Sequence, residues 1–107
     1  MVAQEILRQL GGNKFVAMTG SRNFLLGNRS LTMELTRNKS GANRLEIKLD
    51  PNDTYTMRFI RFTPSRIDVK VGIFTNSKIT EVQKVEGIYF DQLQRIFTQI
   101  TGLYTNL

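Results

Sequence analysis

From Leu31 onward the chain alternates apolar and polar residues with a period of two, and no other feature restricts its folding as strongly. Leu31, Met33 and Leu35 alternate with Thr32, Glu34 and Thr36, and Leu45, Ile47 and Leu49 alternate with Arg44, Glu46 and Lys48. Asp50-Pro51-Asn52-Asp53 is a turn by composition, and beyond it Tyr55, Met57 and Phe59 alternate with Thr54, Thr56 and Arg58. Thr63-Pro64-Ser65 breaks the chain again, and Ile67, Val69, Val71 and Ile73 then alternate with Arg66, Asp68 and Lys70. Successive side chains of a strand point to opposite faces, so each segment gathers its apolar residues on one face. Four such strands with short connections predict an antiparallel meander, one face apolar and the other wet. The stretch Lys78 to Glu86, with Ile79, Val82 and Val85, is too sparse to separate an edge strand from a loop; we read it as a strand.

A sheet with one apolar face needs a cover, and the two ends of the chain supply it. Ala3, Ile6, Leu7 and Leu10 fall at i, i+3, i+4 and i+7, the spacing of one helix face, and Gly11-Gly12 ends that helix. Tyr89, Leu93, Ile96, Phe97 and Ile100 recur with helical period before Gly102, while Asp91, Gln92, Gln94, Arg95 and Gln99 fall on the opposite side. Lys14-Phe15-Val16-Ala17-Met18 reads as a first strand or an extended connector, because a helix there would have to continue across Gly20 and Asn23. The expected architecture is a single α+β domain over residues 1–107. In it, an antiparallel meander of four to five strands is covered on one face by N- and C-terminal helices.

The composition narrows function mainly by exclusion. The 107 residues contain no Cys and no His, which removes a zinc site, a disulfide framework, a cysteine nucleophile and histidine acid/base chemistry. The carboxylates Glu34, Glu46 and Asp68 fall on the predicted wet face beside Arg44, Lys48, Arg58 and Lys70. Cross-strand charge pairing accounts for them there better than an acid/base pair, which needs one carboxyl in an apolar pocket. We expect no catalytic residues, no metal and no cofactor. Met1 to Leu10 carry Gln4, Glu5 and Arg8 rather than the apolar run of a signal peptide, and no later stretch approaches a membrane span. Cytoplasmic residence and no membrane partner are the corresponding expectations.

The 15 Lys and Arg outnumber the 9 Asp and Glu, a net charge of +6 that is unevenly spread. Residues 1–30 contribute +3, residues 31–50 +1, residues 51–76 +2 and residues 77–107 nothing. The connection Arg37-Asn38-Lys39-Ser40-Gly41-Ala42-Asn43-Arg44 sets three cations and several hydrogen-bonding side chains around a glycine, which is the chemistry of phosphate contact. If the loop of Arg22 and Arg29 met it at one end of the meander, about five charges would form one patch. Arg22, Arg29, Arg37, Lys39 and Arg44 are therefore the candidate phosphate contacts, with Ser40 and Asn43 helping to position them. A solvated hairpin loop is the plain alternative. Thr19-Gly20-Ser21-Arg22-Asn23 offers a second, weaker anion cradle of backbone N–H groups. Arg58, Arg61-Phe62 and Arg66 mix cations with a ring, as single-strand-binding sheets do, but without the paired aromatics of such sheets.

Several segments have a recognisable wording. They are Gly11-Gly12-Asn13-Lys14-Phe15, Met18-Thr19-Gly20-Ser21, Asn23-Phe24, Arg37-Asn38-Lys39-Ser40, Asp53-Thr54-Tyr55-Thr56-Met57, Gln92-Leu93, Ile96-Phe97-Thr98 and Thr101-Gly102-Leu103-Tyr104-Thr105. Together they resemble a family of small proteins encoded by tailed bacteriophages and other bacterial mobile elements, from about residue 5 to residue 105. The resemblance implies an origin more than a mechanism. Small accessory proteins of such genomes bind DNA, regulate transcription or block a host defence complex such as CRISPR machinery, usually without catalysis. The resulting expectation is a non-enzymatic binding module in the bacterial cytoplasm whose partner is DNA or RNA, or a host nucleoprotein complex. Its alternative is a protein-directed inhibitor of a host defence system. An uncovered strand edge would also allow a homodimer.

Overall fold

The apolar stripe at the amino terminus forms helix α1, Val2–Leu10, which buries Ala3, Ile6 and Leu10 and leaves Leu7 half-buried. Gly11 and Gly12 close it by donating to the carbonyls of Arg8 and Leu7. A computed structural model supplies the coordinates; it describes residues 2–68 and 72–105, and for residues 66–68 and 73–75 only the backbone.

The segment read from sequence as a strand or connector is instead a short helix, α2, Asn13–Thr19. Gly20 and Asn23 do not prevent it, because the helix stops before them. Gly20 takes φ 70° in the left-handed region, and its N–H caps the carbonyl of Val16. Phe15 and Thr19, four residues apart, face the core, and the Thr19 hydroxyl returns to the Phe15 carbonyl at 2.7 Å.

The sheet is a five-stranded antiparallel meander in the order β1-β2-β3-β4-β7. Its strands are β1 Arg22–Leu26, β2 Ser30–Glu34, β3 Arg44–Leu49, β4 Tyr55–Thr63 and β7 Lys78–Ile88. β2, β3 and β4 follow the alternation: Leu31 lies opposite Ile47 and Ile47 opposite Met57, while Met33, Leu45 and Phe59 form the next row. All six are buried to within 1% of completely. β1 has no alternating signal of its own, since Leu25 and Leu26 are both exposed. Its place comes from pairing with β2, through a register shift between Arg22 and Leu25 where Asn23 takes φ 56°. The sparse stretch from Lys78 is a strand, as expected, and runs on to Ile88.

The alternating segment from Arg66 to Ile73 is not the fourth strand of the sheet. Arg66–Asp68 forms β5, which pairs with β6, Ile73–Thr75, as a separate two-stranded unit between β4 and β7. Val69, Lys70 and Val71 lie outside the described residues. Alternation alone does not say which sheet a strand joins; here Pro64-Ser65 interrupts the strand after Thr63, and Arg66–Asp68 finds its partner in Ile73–Thr75. Both open edges, β1 and β7, carry irregular pairing, and bulges of this kind blunt strand addition at an edge.

Helix α3, Leu93–Thr101, follows a 3₁₀ turn at Phe90–Gln92 and ends at Gly102, φ 76°. Leu93 and Phe97 are fully buried, and Ile96 and Ile100 pack partly against the same core. Tyr89 precedes the helix and is 60% exposed, so it adds little to the apolar face assigned to it from spacing. Burying the two complete side chains contributes roughly 3–6 kcal/mol before the partial burials are added. Both terminal helices cover one face: Ala3, Ile6, Leu10, Leu93 and Phe97 belong to the same core cluster as the inward residues of β2, β3 and β4. Phe15 and Phe97 meet edge-on with centroids 5.0 Å apart. Tyr104, beyond the helix, is 70% exposed.

Candidate functional site

The open face of the sheet holds polar rows whose register follows directly from the strand pairing. Thr32, Glu46, Arg58 and Lys84 lie side by side across β2, β3, β4 and β7, and Glu34, Arg44, Ile60 and Glu81 form the next row. Arg58 is the hub: its Nε lies 3.0 Å from Glu81 and its Nη1 3.2 Å from Glu46. These hydrogen bonds, Glu81 first, hold the guanidinium pKa above its ordinary value. The middle of the face is therefore a locally neutralised charge ladder of the kind expected from sequence. The carboxylates best placed to act there are tied to an arginine. Among the described residues no cluster of three or more acidic side chains could hold a metal ion.

Charge balance is lost at one end of the sheet, where β2 leaves through residues 35–43 and β3 begins. The connection is ordered by its own side chains. Asn38 Nδ2 donates to the carbonyls of Thr36 and Ala42, Asn38 Oδ1 accepts the Ser40 N–H, and the Ser40 hydroxyl bonds Asn38 and accepts from the Ala42 N–H. Asn43 acts as an additional strand partner. Its Nδ2 donates to the Phe62 carbonyl and its Oδ1 accepts the Phe62 N–H, both at 2.8 Å, extending the β3–β4 pairing past Ile60. Ser40 and Asn43, assigned from sequence to position phosphates, thus hold the loop to itself and to β4. Replacing Asn43 with Ala leaves the Phe62 N–H and C=O without these partners. A loss of about 1–3 kcal/mol in stability is expected by urea unfolding; an unchanged midpoint would contradict this role.

The loop presents cations rather than neutral donors. Arg37 and Lys39 are exposed. The Lys39 N–H donates to the Thr101 carbonyl at the carboxy-terminal end of α3, and a Cβ built on Gly102 would come within 3.2 Å of the Lys39 stem. The partial negative charge of that helix end suits the ammonium nearby. Arg44 places its guanidinium 4.3 Å from the centroid of the Phe62 ring, a cation–π contact that orients it. Arg61 reaches from β4 to the Gly41 carbonyl at 2.8 Å. Arg37 and Arg61 both line an open cleft of about 410 Å³ whose floor includes Leu35, Ala42 and Asn43. Among the described residues, none of Arg37, Lys39, Arg44 and Arg61 forms an ion pair.

The structure divides the sequence-derived set. Arg37, Lys39 and Arg44 share one end of the sheet, and Arg22 joins them through its pairing with Glu34, which lies beside Arg44. Arg22 is partly offset, because its Nε lies 4.0 Å from Glu34. Arg29 does not belong. It sits in the β1–β2 turn at the opposite end, where its Nε donates to the Leu49 carbonyl. In a meander the turn after β1 and the loop after β2 lie at opposite ends of β2, so the two loops cannot meet. The Thr19–Asn23 cradle is closed as well: the Thr19 and Ser21 hydroxyls bond each other at 2.8 Å and both residues are buried.

Arg61 belongs to the cluster although sequence reasoning grouped it with the sheet face. The signal was its parity. Tyr55, Met57 and Phe59 point inward, so a charged residue at position 61 marks where the helical cover ends. Compared with known proteins, the chain matches no family model, no curated protein and no solved structure. These comparisons neither support nor oppose the resemblance to small phage proteins. No helix among the described residues is long and apolar enough to cross a membrane.

Proposed function

We propose that this protein is a non-enzymatic binding module that engages nucleic acid, free or within a nucleoprotein complex, through the basic end of its sheet. The observation that carries the reading is the set Arg37, Lys39, Arg44 and Arg61. These are cations from a loop and two strands that share one end of the sheet without ion-pair partners among the described residues, Arg44 on the open face and Arg61 and Lys39 on the helix-covered side, while the middle of the open face is neutralised by Arg58, Glu46 and Glu81. Uncompensated cations on a rigid edge attract a polyanion and release its counterions on contact. An origin in a phage or other mobile element, the cytoplasm of a bacterial host as its location, and the absence of catalysis accompany this reading as proposals.

Titration of labelled DNA and RNA at about 50 and 200 mM salt tests it. Four phosphate contacts predict a loss of roughly 150-fold in affinity for duplex DNA between those concentrations. Arg29→Ala, at the far end of the sheet, is expected to change affinity less than about twofold, since an exposed charge farther than a Debye length of about 10 Å from the phosphates is largely screened. The absence of complex at low salt with every nucleic acid tried would contradict the proposal.

A further inference from the structure

The open face of the sheet changes character at its basic end. Through its middle it carries Thr32, Glu46, Arg58 and Lys84, but beyond Arg58 the outward residues of β4 are Ile60 and Phe62. Ile79 of β7 is the register partner of Phe62, and directly opposite residues of an antiparallel pair share a face. The Arg44 guanidinium, 4.3 Å from the ring centroid, places Phe62 on this face independently of the register. None of Ile60, Phe62 and Ile79 belongs to the core or packs against it. Ile79 is 68% exposed, and Ile60 and Phe62 are half-buried. An apolar patch of this kind, set in an otherwise charged face, contributes little to folding and marks a contact surface.

We infer that this end of the sheet binds an unpaired nucleotide of single-stranded nucleic acid, its base packed on Ile60, Phe62 and Ile79 and its backbone on the cations around them. This deepens the nucleic-acid reading above and rests on it. Apolar surface and positive charge within reach of one nucleotide are what stack a base and hold its phosphates. Arg44 supplies both. It lies over the Phe62 ring, and a guanidinium plane stacks bases while its N–H groups bond phosphate. On the other side of the sheet end, Arg61 bonds the Gly41 carbonyl and lines one cleft with Arg37, so a strand that passes over the end meets further cations. The neighbouring carboxylates are occupied: Glu81 by Arg58, and Glu34 by Asn23 and Arg22. A duplex uses the patch poorly, because its bases stack on one another and present only their edges in the grooves.

The test compares strands of equal charge with and without bases. A labelled oligothymidylate of about 20 nucleotides, the matching oligouridylate and an abasic sugar-phosphate strand of the same length are titrated at about 200 mM salt, where the counterion contribution is reduced. The better bound of the two base-carrying strands, which tells whether deoxyribose or ribose suits the site, is expected to bind roughly 5- to 150-fold more tightly than the abasic strand, the worth of one stacked base. It is also expected to bind more tightly than a duplex of the same length. Phe62→Ala is expected to remove most of the advantage over the abasic strand and to change abasic affinity less than about twofold. Should Phe62→Ala fail to melt cooperatively, Ile79→Ala, at an exposed position, is expected to lower the same ratio about threefold or more. Equal affinity for base-carrying and abasic strands, preference for the duplex, or an unchanged ratio in a folded variant would overturn the stacked base while leaving the basic-end reading intact. Failure of the intact protein to bind any nucleic acid at low salt overturns both.

Discussion

Leu93→Asp is expected to abolish the cooperative thermal transition. Leu93 is fully buried at the start of α3, in the cluster that joins this helix to α1 and the inner rows of β2, β3 and β4. Aspartate there loses roughly 2 kcal/mol of apolar burial and places a carboxylate among hydrocarbon, at a cost of several kcal/mol more. Typical domain stability is about 5–15 kcal/mol, so most of it is removed. Phe97→Ala grades the same effect: losing its edge-on contact with Phe15 and leaving a cavity costs about 3–5 kcal/mol, which lowers the melting temperature without erasing the transition. A Leu93→Asp protein melting cooperatively at the wild-type temperature would show that α3 does not cover the sheet.

Replacing Arg37, Lys39 and Arg44 together with Ala is expected to leave the fold and remove most nucleic-acid binding. Arg37 and Lys39 are exposed, and Arg44 is half-buried with only its stacking on Phe62 to lose, worth about 0.5–1 kcal/mol. Three phosphate contacts, through counterion release alone, account for about 10²–10³-fold in affinity near 0.1 M salt. The loss should be similar for different DNA sequences, because phosphate contacts position a duplex without reading it. A loss confined to one sequence would instead assign these side chains to base edges.

The core was legible wherever one physical signal decided the outcome. Leu31, Met33, Leu45, Ile47, Met57 and Phe59 face the core as the period of two requires, and the terminal helices follow their apolar stripes. The signal failed where local pattern had to specify a partner. Residues 66–73 alternate as well as any strand, yet Arg66–Asp68 pairs with a local neighbour rather than with the sheet. β1 has little alternation and still joins the sheet, because β2 offers it a free edge. α2 is too short for its period to show, and its length is set by Gly20.

The candidate site was legible in its charges but not in its geometry. The sequence shows that residues 37–44 are cationic. It does not show that Ser40 and Asn43 are occupied within the loop, that Arg61 joins it, or that Arg29 lies at the other end. Those facts depend on strand direction and register, which emerge only once the whole sheet is assembled.

We propose that the cations at one end of the sheet, which form no ion pair among the described residues, bind phosphates. The most direct test is the slope of log affinity against log salt for one DNA duplex, measured for the wild type and for the protein with Arg37, Lys39 and Arg44 replaced by Ala. The slope is expected to become shallower by about 2.7 in the variant. Equal slopes in the two proteins would contradict it.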